Sequence, residues 1–151
     1  MNKLFAGIGL FIAVLVLGGL YNFLVSGKQE GDLRNLSVGN NVFKVEIADT
    51  PVKQAHGLSG RSRLAKDRGM LFIFKGLKKR GFWMAGMKFP LDIIWISNGK
   101  ITGISENLPP ASSMIGAPAY YSPEPADRVL EINAGLAGRL GLKIGDFAVL
   151  E

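Results

Sequence analysis

The sequence predicts a small, mainly β domain, a barrel or sandwich with two short helices, behind one N-terminal transmembrane helix. Three observations support this fold class. Leu4–Val25 contains no charged residue. Beyond it, short runs of β-branched and aromatic residues alternate with Gly, Pro and Asn, which is typical of strands and turns. The two segments with helix signals are both short, as in small barrels and sandwiches.

Leu4–Val25 is predicted to be an uncleaved, single-pass membrane span. At about 1.5 Å per residue, a helix of this length covers a hydrocarbon core of about 30 Å. The alternative is a signal peptide, which has a shorter apolar region and an A-x-A-like cleavage site; here Gly18-Gly19 is the nearest substitute. Because only a short tail with Lys3 precedes the span, we expect the domain on the extracytoplasmic side.

The rest of the chain is interpreted as a tether followed by one domain. Residues 26–41 are polar and glycine-bearing, and residues 42–151 form the predicted mainly β domain. A domain of this size can bury a core without metal or disulfide support. The chain contains no Cys, so disulfides are excluded.

The first half of this domain shows three strand signals and one helix signal. Residues 42–47 alternate between apolar and polar side chains, which predicts a half-buried strand. Thr50-Pro51 resembles a helix start, with Thr50 as the N-cap, and Gly57 ends this helix. Residues 70–74 and 81–84 have the length and composition of two further strands.

The strongest local signal lies in the second half. Asn98-Gly99 separates the β-rich runs 91–97 and 100–105, which predicts a hairpin with a two-residue type I′ turn. Residues 107–126 hold most of the prolines and are predicted to form a long excursion. The remaining elements are predicted as a strand at 128–132, a helix at 133–140 capped by Asn133, a turn at 145–146 and a closing strand at 147–150.

Asp92 is the most informative residue, because it is one carboxylate inside the apolar run Leu91–Ile96. A buried carboxylate is costly unless it is paired and hydrogen-bonded. Asp92 is therefore either a structural anchor that accepts hydrogen bonds from loop amides or part of a site. Arg61 is the donor we consider for it, since guanidinium binds carboxylate bidentately.

The net charge of +6 is unevenly distributed. Residues 53–88 hold ten Lys and Arg against one acid, Asp67. This half either docks on an anionic surface or is an ordinary solvated basic face. The triplet Lys78-Lys79-Arg80 is too short for a nucleic-acid signature, and no nucleic-acid partner is expected.

Other chemistry-bearing residues have ordinary structural alternatives. His56, the only histidine, stands at a predicted helix end, without a nucleophile elbow nearby. Asp92, Glu106 and Glu131 could converge for acid–base chemistry, but each also fits a salt bridge. Met70, Met84, Met87 and Met114 suit soft metals, yet methionine commonly fills gaps in cores. No metal, cofactor or catalytic residue is predicted.

Seven sequence blocks in a fixed order resemble the family called domain of unknown function 192, over residues 42–151. The blocks are Val45–Pro51, Gly57–Arg61, Gly69–Phe74, Phe82–Met84, Pro90–Ile94, Glu106-Asn107 and Val129–Gly135. The resemblance implies a compact β-barrel-like domain, often exported or membrane-anchored, with no established biochemical role. It also implies a shared pocket at the matching positions Arg61, Trp83, Met84, Asp92 and Glu131.

This chain departs from the family pattern at three places. Ala85-Gly86-Met87 stands where Lys-Asn-Thr is usual, and Ser59 stands where Met is common. A Cys pair that some members carry in the proline-rich loop is absent. The loss of three polar groups after Met84 makes the expected pocket more apolar.

These observations predict a membrane-anchored, extracytoplasmic domain that binds a small ligand. The expected pocket is lined by Trp83, Met84 and Phe89, with Arg61, Asp92 and Glu131 as polar residues. Two alternatives stay open: a hydrolase using Asp92, Glu131 or His56, and an interaction module that docks residues 53–88 on an anionic surface.

Overall fold

Nine strands and two short helices make up the described parts of the chain, residues 32–111, 113 and 115–151 of a computed structural model. The strands are β1 (Leu33–Val38), β2 (Asn41–Ala48), β3 (Arg68–Lys78), β4 (Gly81–Trp83), β5 (Leu91–Ser97), β6 (Lys100–Leu108), β7 (Ala119–Tyr121), β8 (Ala126–Asn133) and β9 (Ala148–Leu150). The helices are α1 (Pro51–His56) and α2 (Leu136–Arg139). The domain is therefore mainly β, as the sequence predicts.

Seven strands form one sheet in the order β6-β5-β8-β3-β2-β1-β9. All neighbours are antiparallel except β2 and β3, which are parallel and are connected through α1. The sheet curls into a half-barrel. Its two edges meet at one end, where Lys100 forms an antiparallel bridge with Phe147 and the Ala148 N–H donates to the Gly99 carbonyl at 2.8 Å.

Both faces of the sheet are buried at its centre, so β5 is buried over Leu91–Ile96. One face belongs to the first core, whose large members include Leu36, Phe43, Leu71, Ile94, Ile96, Leu130 and Ile132. The other face belongs to the second core, with Leu58, Met70, Phe72, Met84, Met87, Leu91, Ile93, Trp95, Leu108 and Val129. Alternation along each strand sends successive side chains to opposite cores, which explains the continuous apolar run in β5.

A two-stranded ribbon, β4 with β7, contributes to the second core. Phe82 and its register partner Tyr120 pack against that core, whereas Trp83 and Tyr121 are 50% and 68% exposed. β7 lies in the proline-rich excursion. The excursion thus supplies one strand that pairs outside the main sheet.

Two local predictions are confirmed in detail. In the β5–β6 hairpin, Asn98 and Gly99 have φ of 50° and 75°, as a type I′ turn requires. Thr50 caps α1 by accepting a hydrogen bond from the Lys53 N–H at 3.3 Å, and Gly57 ends the helix with a φ of 53°.

Two others are corrected. Part of the predicted tether 26–41 is a strand, because β1 pairs with β2 and β9 in the main sheet. Asn133 does not cap α2, which begins later than predicted; the Asn133 side chain instead donates to the Leu64 and Ala65 carbonyls at 3.1 and 3.0 Å.

The predicted membrane span, Leu4–Val25, lies outside the described residues, as do residues 26–31. Within residues 32–111, 113 and 115–151, no helix has the length and apolar character needed to cross a membrane.

Candidate functional site

A cavity of about 250 Å³ opens on the side of the sheet that carries the second core. We call it the Glu131 cavity, after the acid that lines it. Its other lining residues are Gln54, Ala55, Gly57, Leu58, Ser59, Phe72, Phe74, Gly81, Phe82 and Trp83. Side chains from α1, the loop after it, β3, β4 and β8 thus meet at one place, although they are far apart in sequence.

The α1 side of the cavity is held in place by hydrogen bonds from the Gln54 side chain to backbone carbonyls. The Gln54 side-chain amide donates to the Ile73 carbonyl at 2.7 Å and to the Ala48 carbonyl at 3.3 Å, which ties α1 to β3 and β2. At Gly57 the chain turns with positive φ, and a Cβ there would lie 3.4 Å from the Phe72 ring. A glycine therefore lets the loop approach the aromatic wall closely.

The opposite wall is an aromatic group centred on Phe82. The Phe82 ring makes edge-to-face contacts with Phe72, Phe74 and Trp95, at centroid distances of 4.8, 6.3 and 5.7 Å. Such contacts add to the stability gained from burial. Trp83, next to Phe82, is half exposed at the rim. The wall is therefore rigid inside, with one large aromatic ring accessible from solvent.

Glu131 is 5% exposed and lies between Met70 of β3 and Ile93 of β5 in the register of the sheet. Its Oε2 is buried and has no hydrogen-bond partner among the described residues. Desolvation by burial raises the pKa of Glu131 to about 8. At neutral pH Glu131 is thus protonated in most molecules, and its carboxyl group can donate a hydrogen bond to a ligand in the cavity.

Asp92 lies on the opposite face of the sheet and is fully buried. Its Oδ1 accepts from the Asn107 and Gly135 N–H groups at 2.8 and 3.0 Å, and its Oδ2 accepts from Ala137 N–H at 2.9 Å. The carboxylate therefore satisfies the amides at the start of α2 and at the end of β6. Of the two interpretations of Asp92, the structure shows hydrogen bonding to loop amides.

Arg61 pairs with Glu46, so the suggested Arg61–Asp92 pair is wrong. The Arg61 guanidinium contacts both carboxylate oxygens, with Nη2 to Oε2 at 2.8 Å. The hydrogen bonds that Arg61 donates to Glu46 raise the pKa of Arg61, although burial opposes the shift. Glu46 and Glu131 both face Met70 across the sheet, one on each side. Arg61 does not line the Glu131 cavity.

Met84 and Phe89 also do not line the cavity. Met84 is fully buried in the second core, and Phe89 packs against that core. Of the six predicted ligand-binding residues, Trp83 and Glu131 meet in the cavity, whereas Arg61, Met84, Phe89 and Asp92 lie elsewhere.

The departure from the family pattern after Met84 supports the loop that borders the cavity. The Gly60 N–H donates to the Gly86 carbonyl at 3.0 Å, and Ser59 Oγ donates to the Ala85 carbonyl at 3.4 Å. Gly86 has a φ of 75°, a conformation that glycine adopts without strain. Ser59 and Gly86 thus hold the loop beside the cavity.

The remaining candidates are dispersed. His56 is exposed at the end of α1. Met70, Met84 and Met87 belong to the second core, and Met114 lies outside the described residues. Across the part of the chain that the structure describes, no group of three or more His, Cys, Asp or Glu side chains could hold a metal ion.

Several cations of the basic half also make contacts within the fold. Lys53 pairs with Asp49 at 3.2 Å, and Lys79 Nζ contacts the Ser122 and Pro123 carbonyls. Arg80 donates to the Ala126 carbonyl at 3.0 Å and lies 4.1 Å from the Phe74 ring centroid. The basic triplet 78–80 is therefore partly structural.

The aromatic wall and the α1 side of the cavity were not predicted from the sequence. One signal was available: Met70, Phe72 and Phe74 alternate along β3, which places three large side chains on one face. The positions of Gln54 and Ser59 had no such signal, because the crossover between the parallel strands brings them to the site.

The chain belongs to the DUF192 family. Residues 34–149 match the family model DUF192, described as "Uncharacterized ACR". This confirms the predicted resemblance over residues 42–151 and extends its N-terminal limit into β1. No curated protein matches the chain.

Two solved structures are similar to this chain over most of its length. One is a protein of unknown function from Novosphingobium aromaticivorans DSM 12444, with 32% identity, a TM-score of 0.74, and coverage of 80% of this chain and 87% of that chain. The other, from Sinorhizobium meliloti 1021, is described as a "putative transcription regulator" and has 32% identity, a TM-score of 0.74, and coverage of 82% and 97%.

Proposed function

We propose that this protein binds a small molecule in the Glu131 cavity. The observation that carries the proposal is the buried Glu131 carboxyl, whose Oε2 lacks a hydrogen-bond partner among the described residues while the residue lines an open cavity. A buried polar group without a partner costs about 1–3 kcal/mol. A ligand that hydrogen-bonds this group recovers that free energy.

The composition of the cavity also supports ligand binding. Small-molecule sites are mostly apolar, with a few polar groups that fix orientation. Here Phe72, Phe74 and Phe82 supply apolar surface, and Glu131 supplies the buried polar group. The half-exposed Trp83 ring offers a surface for stacking at the entrance.

Hydrolysis has less support. The three groups considered for a hydrolase are separated, because Asp92 faces the first core, His56 is exposed on α1 and only Glu131 lines the cavity. Acid–base hydrolysis with two carboxylates needs both of them beside the same reacting bond.

A blocked cavity tests the proposal. Ala55 is exposed and lines the cavity, so Ala55→Trp places an indole over the entrance at little cost in stability. Val52→Trp is the matched control on the same helix, at a side chain that is 79% exposed and outside the cavity lining. We expect ligand-observed NMR with a mixed library of neutral, cationic and anionic fragments to give hits for the full-length wild type and Val52→Trp. Hits that persist unchanged in Ala55→Trp would place binding elsewhere and overturn the proposal.

We also propose that Leu4–Val25 anchors this domain on the extracytoplasmic side of a membrane. The charge-free length of the segment supports the anchor, and the short N-terminal tail supports the orientation. Mass spectrometry of the mature protein should find the original N-terminus, and added protease should cleave the domain on spheroplasts. A new N-terminus near residues 19–27 would rule out the anchor, and a protected domain would rule out the orientation.

Docking of the basic half on anionic lipid is a second proposal. Leu77 is 45% exposed between Lys75 and Lys78, which are also exposed, and this combination suits an anionic interface. The full-length chain in nanodiscs should sediment with anionic but not neutral vesicles at low salt. Lys75→Glu with Lys78→Glu should weaken sedimentation, while Lys143→Glu with Lys100→Glu serves as a control of equal charge. Equal sedimentation of both variants and the wild type would contradict a role for Lys75 and Lys78.

A further inference from the structure

Among the described residues that line the Glu131 cavity, one is ionisable, and it is an acid. The remaining lining side chains are aromatic, aliphatic or neutral polar. The chain as a whole carries a net charge of +6. The cavity is therefore an isolated acidic position in a basic protein, and a ligand inside it meets no positive charge from its walls.

The charged groups on the elements around Glu131 lie outside the cavity lining. Glu46 and Arg61 bond to each other, and Lys53 of α1 pairs with Asp49. The other charged or titratable groups nearby are Arg68 on β3, His56 on α1, Arg80 before β4, and Asp127 and Arg128 on β8. None of these residues lines the cavity. Among the described residues that line the cavity, none carries a positive charge that could pair with an ionised Glu131.

The aromatic wall favours a positive ligand as well. The faces of aromatic rings carry negative electrostatic potential and attract ammonium and guanidinium groups. This aromatic group already binds one cation within the protein, because the Arg80 guanidinium carbon lies 4.1 Å from the Phe74 ring centroid. A cation in the cavity would have both the rings and the Glu131 carboxylate as partners.

We propose that the Glu131 cavity binds an organic ammonium group, the amine or methylated ammonium head of a small molecule, as an ion pair with Glu131. This inference rests on the proposed function and names the ligand chemistry of that same cavity. Anions lack a cationic partner among the lining residues. Neutral ligands would use Glu131 only as a hydrogen-bond donor.

Binding is coupled to loss of one proton. The ligand is already a cation when it binds. The Glu131 O–H bond breaks, the proton goes to solvent, and the resulting carboxylate pairs with the cation. No covalent bond to the ligand forms. Burial raises the pKa of Glu131 to about 8. The affinity for a permanent cation should therefore rise about tenfold per pH unit below this pKa and level off above it. A neutral ligand that accepts a hydrogen bond from protonated Glu131 should bind more weakly as the pH rises.

A matched pair of probes tests the charge requirement. Choline is a permanent cation, and 3,3-dimethylbutan-1-ol has the same shape without the charge. Titrations of the full-length chain can be followed by tryptophan fluorescence, because the chain has two tryptophans and one is Trp83. We expect choline to bind at least about tenfold more tightly than the alcohol, and about a hundredfold more tightly at about pH 8.5 than at about pH 6. Glu131→Gln should abolish this preference, whereas Glu124→Gln, at an exposed position, should retain it.

A second measurement needs no variant. Calorimetry of choline binding near pH 7, in two buffers with different ionisation enthalpies, should show release of close to one proton per choline bound. No proton release, equal affinity for the two probes, or no choline binding near pH 8.5 would overturn the ammonium proposal. Binding of the alcohol that Ala55→Trp removes would leave the proposed small-molecule function standing, whereas unchanged binding in that variant would overturn the function itself.

Discussion

Two buried carboxyl groups, Asp92 and Glu131, lie on neighbouring strands with opposite surroundings. Asp92 of β5 pairs in register with Ile132 of β8, and Glu131 pairs with Ile93, so the two acids are one position apart and point to opposite faces. Asp92 accepts three backbone N–H groups. Glu131 leaves Oε2 without a partner among the described residues.

The contrast shows that burial of a carboxyl group does not by itself indicate a functional site. Asp92 is buried because the fold uses its oxygens to satisfy the amides around α2. Glu131 is buried with its Oε2 unpartnered among the described residues, and desolvation by burial raises its pKa to about 8. Natural folds leave few buried polar groups without partners, so the unpaired acid is the better candidate for ligand binding.

The largest expected effect is loss of stability on changing Asp92. Asp92→Asn keeps the shape but replaces one acceptor oxygen with an NH₂ group that faces backbone donors. We expect a loss of about 3–5 kcal/mol in the free energy of unfolding, measured by urea denaturation. Asp127→Ala, which removes one exposed acceptor of the Asn98 N–H, should cost under about 1 kcal/mol. Equal midpoints for the two variants would contradict the structural role of Asp92.

Glu131→Gln should raise the free energy of unfolding at high pH, whereas Asp92→Asn lowers it. The native pKa of Glu131 is raised above its ordinary value of 4.5, so between these values the native state binds more protons than the unfolded state. Wild-type stability should consequently fall as pH rises from about 5 to 9, by a few kcal/mol. Glu131→Gln should lack this decline and exceed the wild type near pH 9. Parallel pH profiles for the two proteins would show that Glu131 titrates normally.

Phe82→Leu should reduce the desolvation of Glu131, which distinguishes it from Asp92. It removes the ring that contacts Phe72, Phe74 and Trp95, and we expect a cost of about 1–2 kcal/mol. Water should then reach Glu131 and lower its pKa towards the ordinary value. Carboxyl ¹³C NMR of labelled glutamate would measure this shift. An unchanged Glu131 pKa would mean that the aromatic wall does not cause the desolvation.

The smallest change in stability is expected for Trp83→Ala. Trp83 is half exposed, so its truncation should cost under about 1 kcal/mol. The pH dependence of stability should remain, since this variant leaves Phe82 and the buried residues of the second core in place. Thermal melts near pH 5 and pH 9 would check both points. A large loss of stability would show that Trp83 is part of the core rather than the cavity entrance.

Parts of the fold with local signals could be predicted from sequence. The Asn98-Gly99 turn, the Thr50 cap and the strand periodicities depend on residues within a few positions of one another. The Asn133 cap failed because distant partners compete for the same groups. Asn133 donates to Leu64 and Ala65, while Asp92 accepts the amides at the start of α2.

The candidate site was only partly predictable. Trp83 and Glu131 are among the predicted ligand-binding residues and do line the cavity, whereas Arg61 is paired with Glu46 and Asp92 serves the fold. Sequence shows that a carboxylate stands in an apolar strand. It does not show which donors from other strands and loops reach that carboxylate.

The sequence by itself determined the mainly β class, the local turns and caps, and membership of the DUF192 family. These features depend on short-range conformational preferences and on residue order along the chain. Only the tertiary structure decided that Asp92 is satisfied, whereas Glu131 Oε2 has no hydrogen-bond partner among the described residues. The physical reason is that a side chain's solvation and hydrogen bonds depend on the groups packed around it. In this protein the residues that line the Glu131 cavity come from α1, the loop after it, β3, β4 and β8.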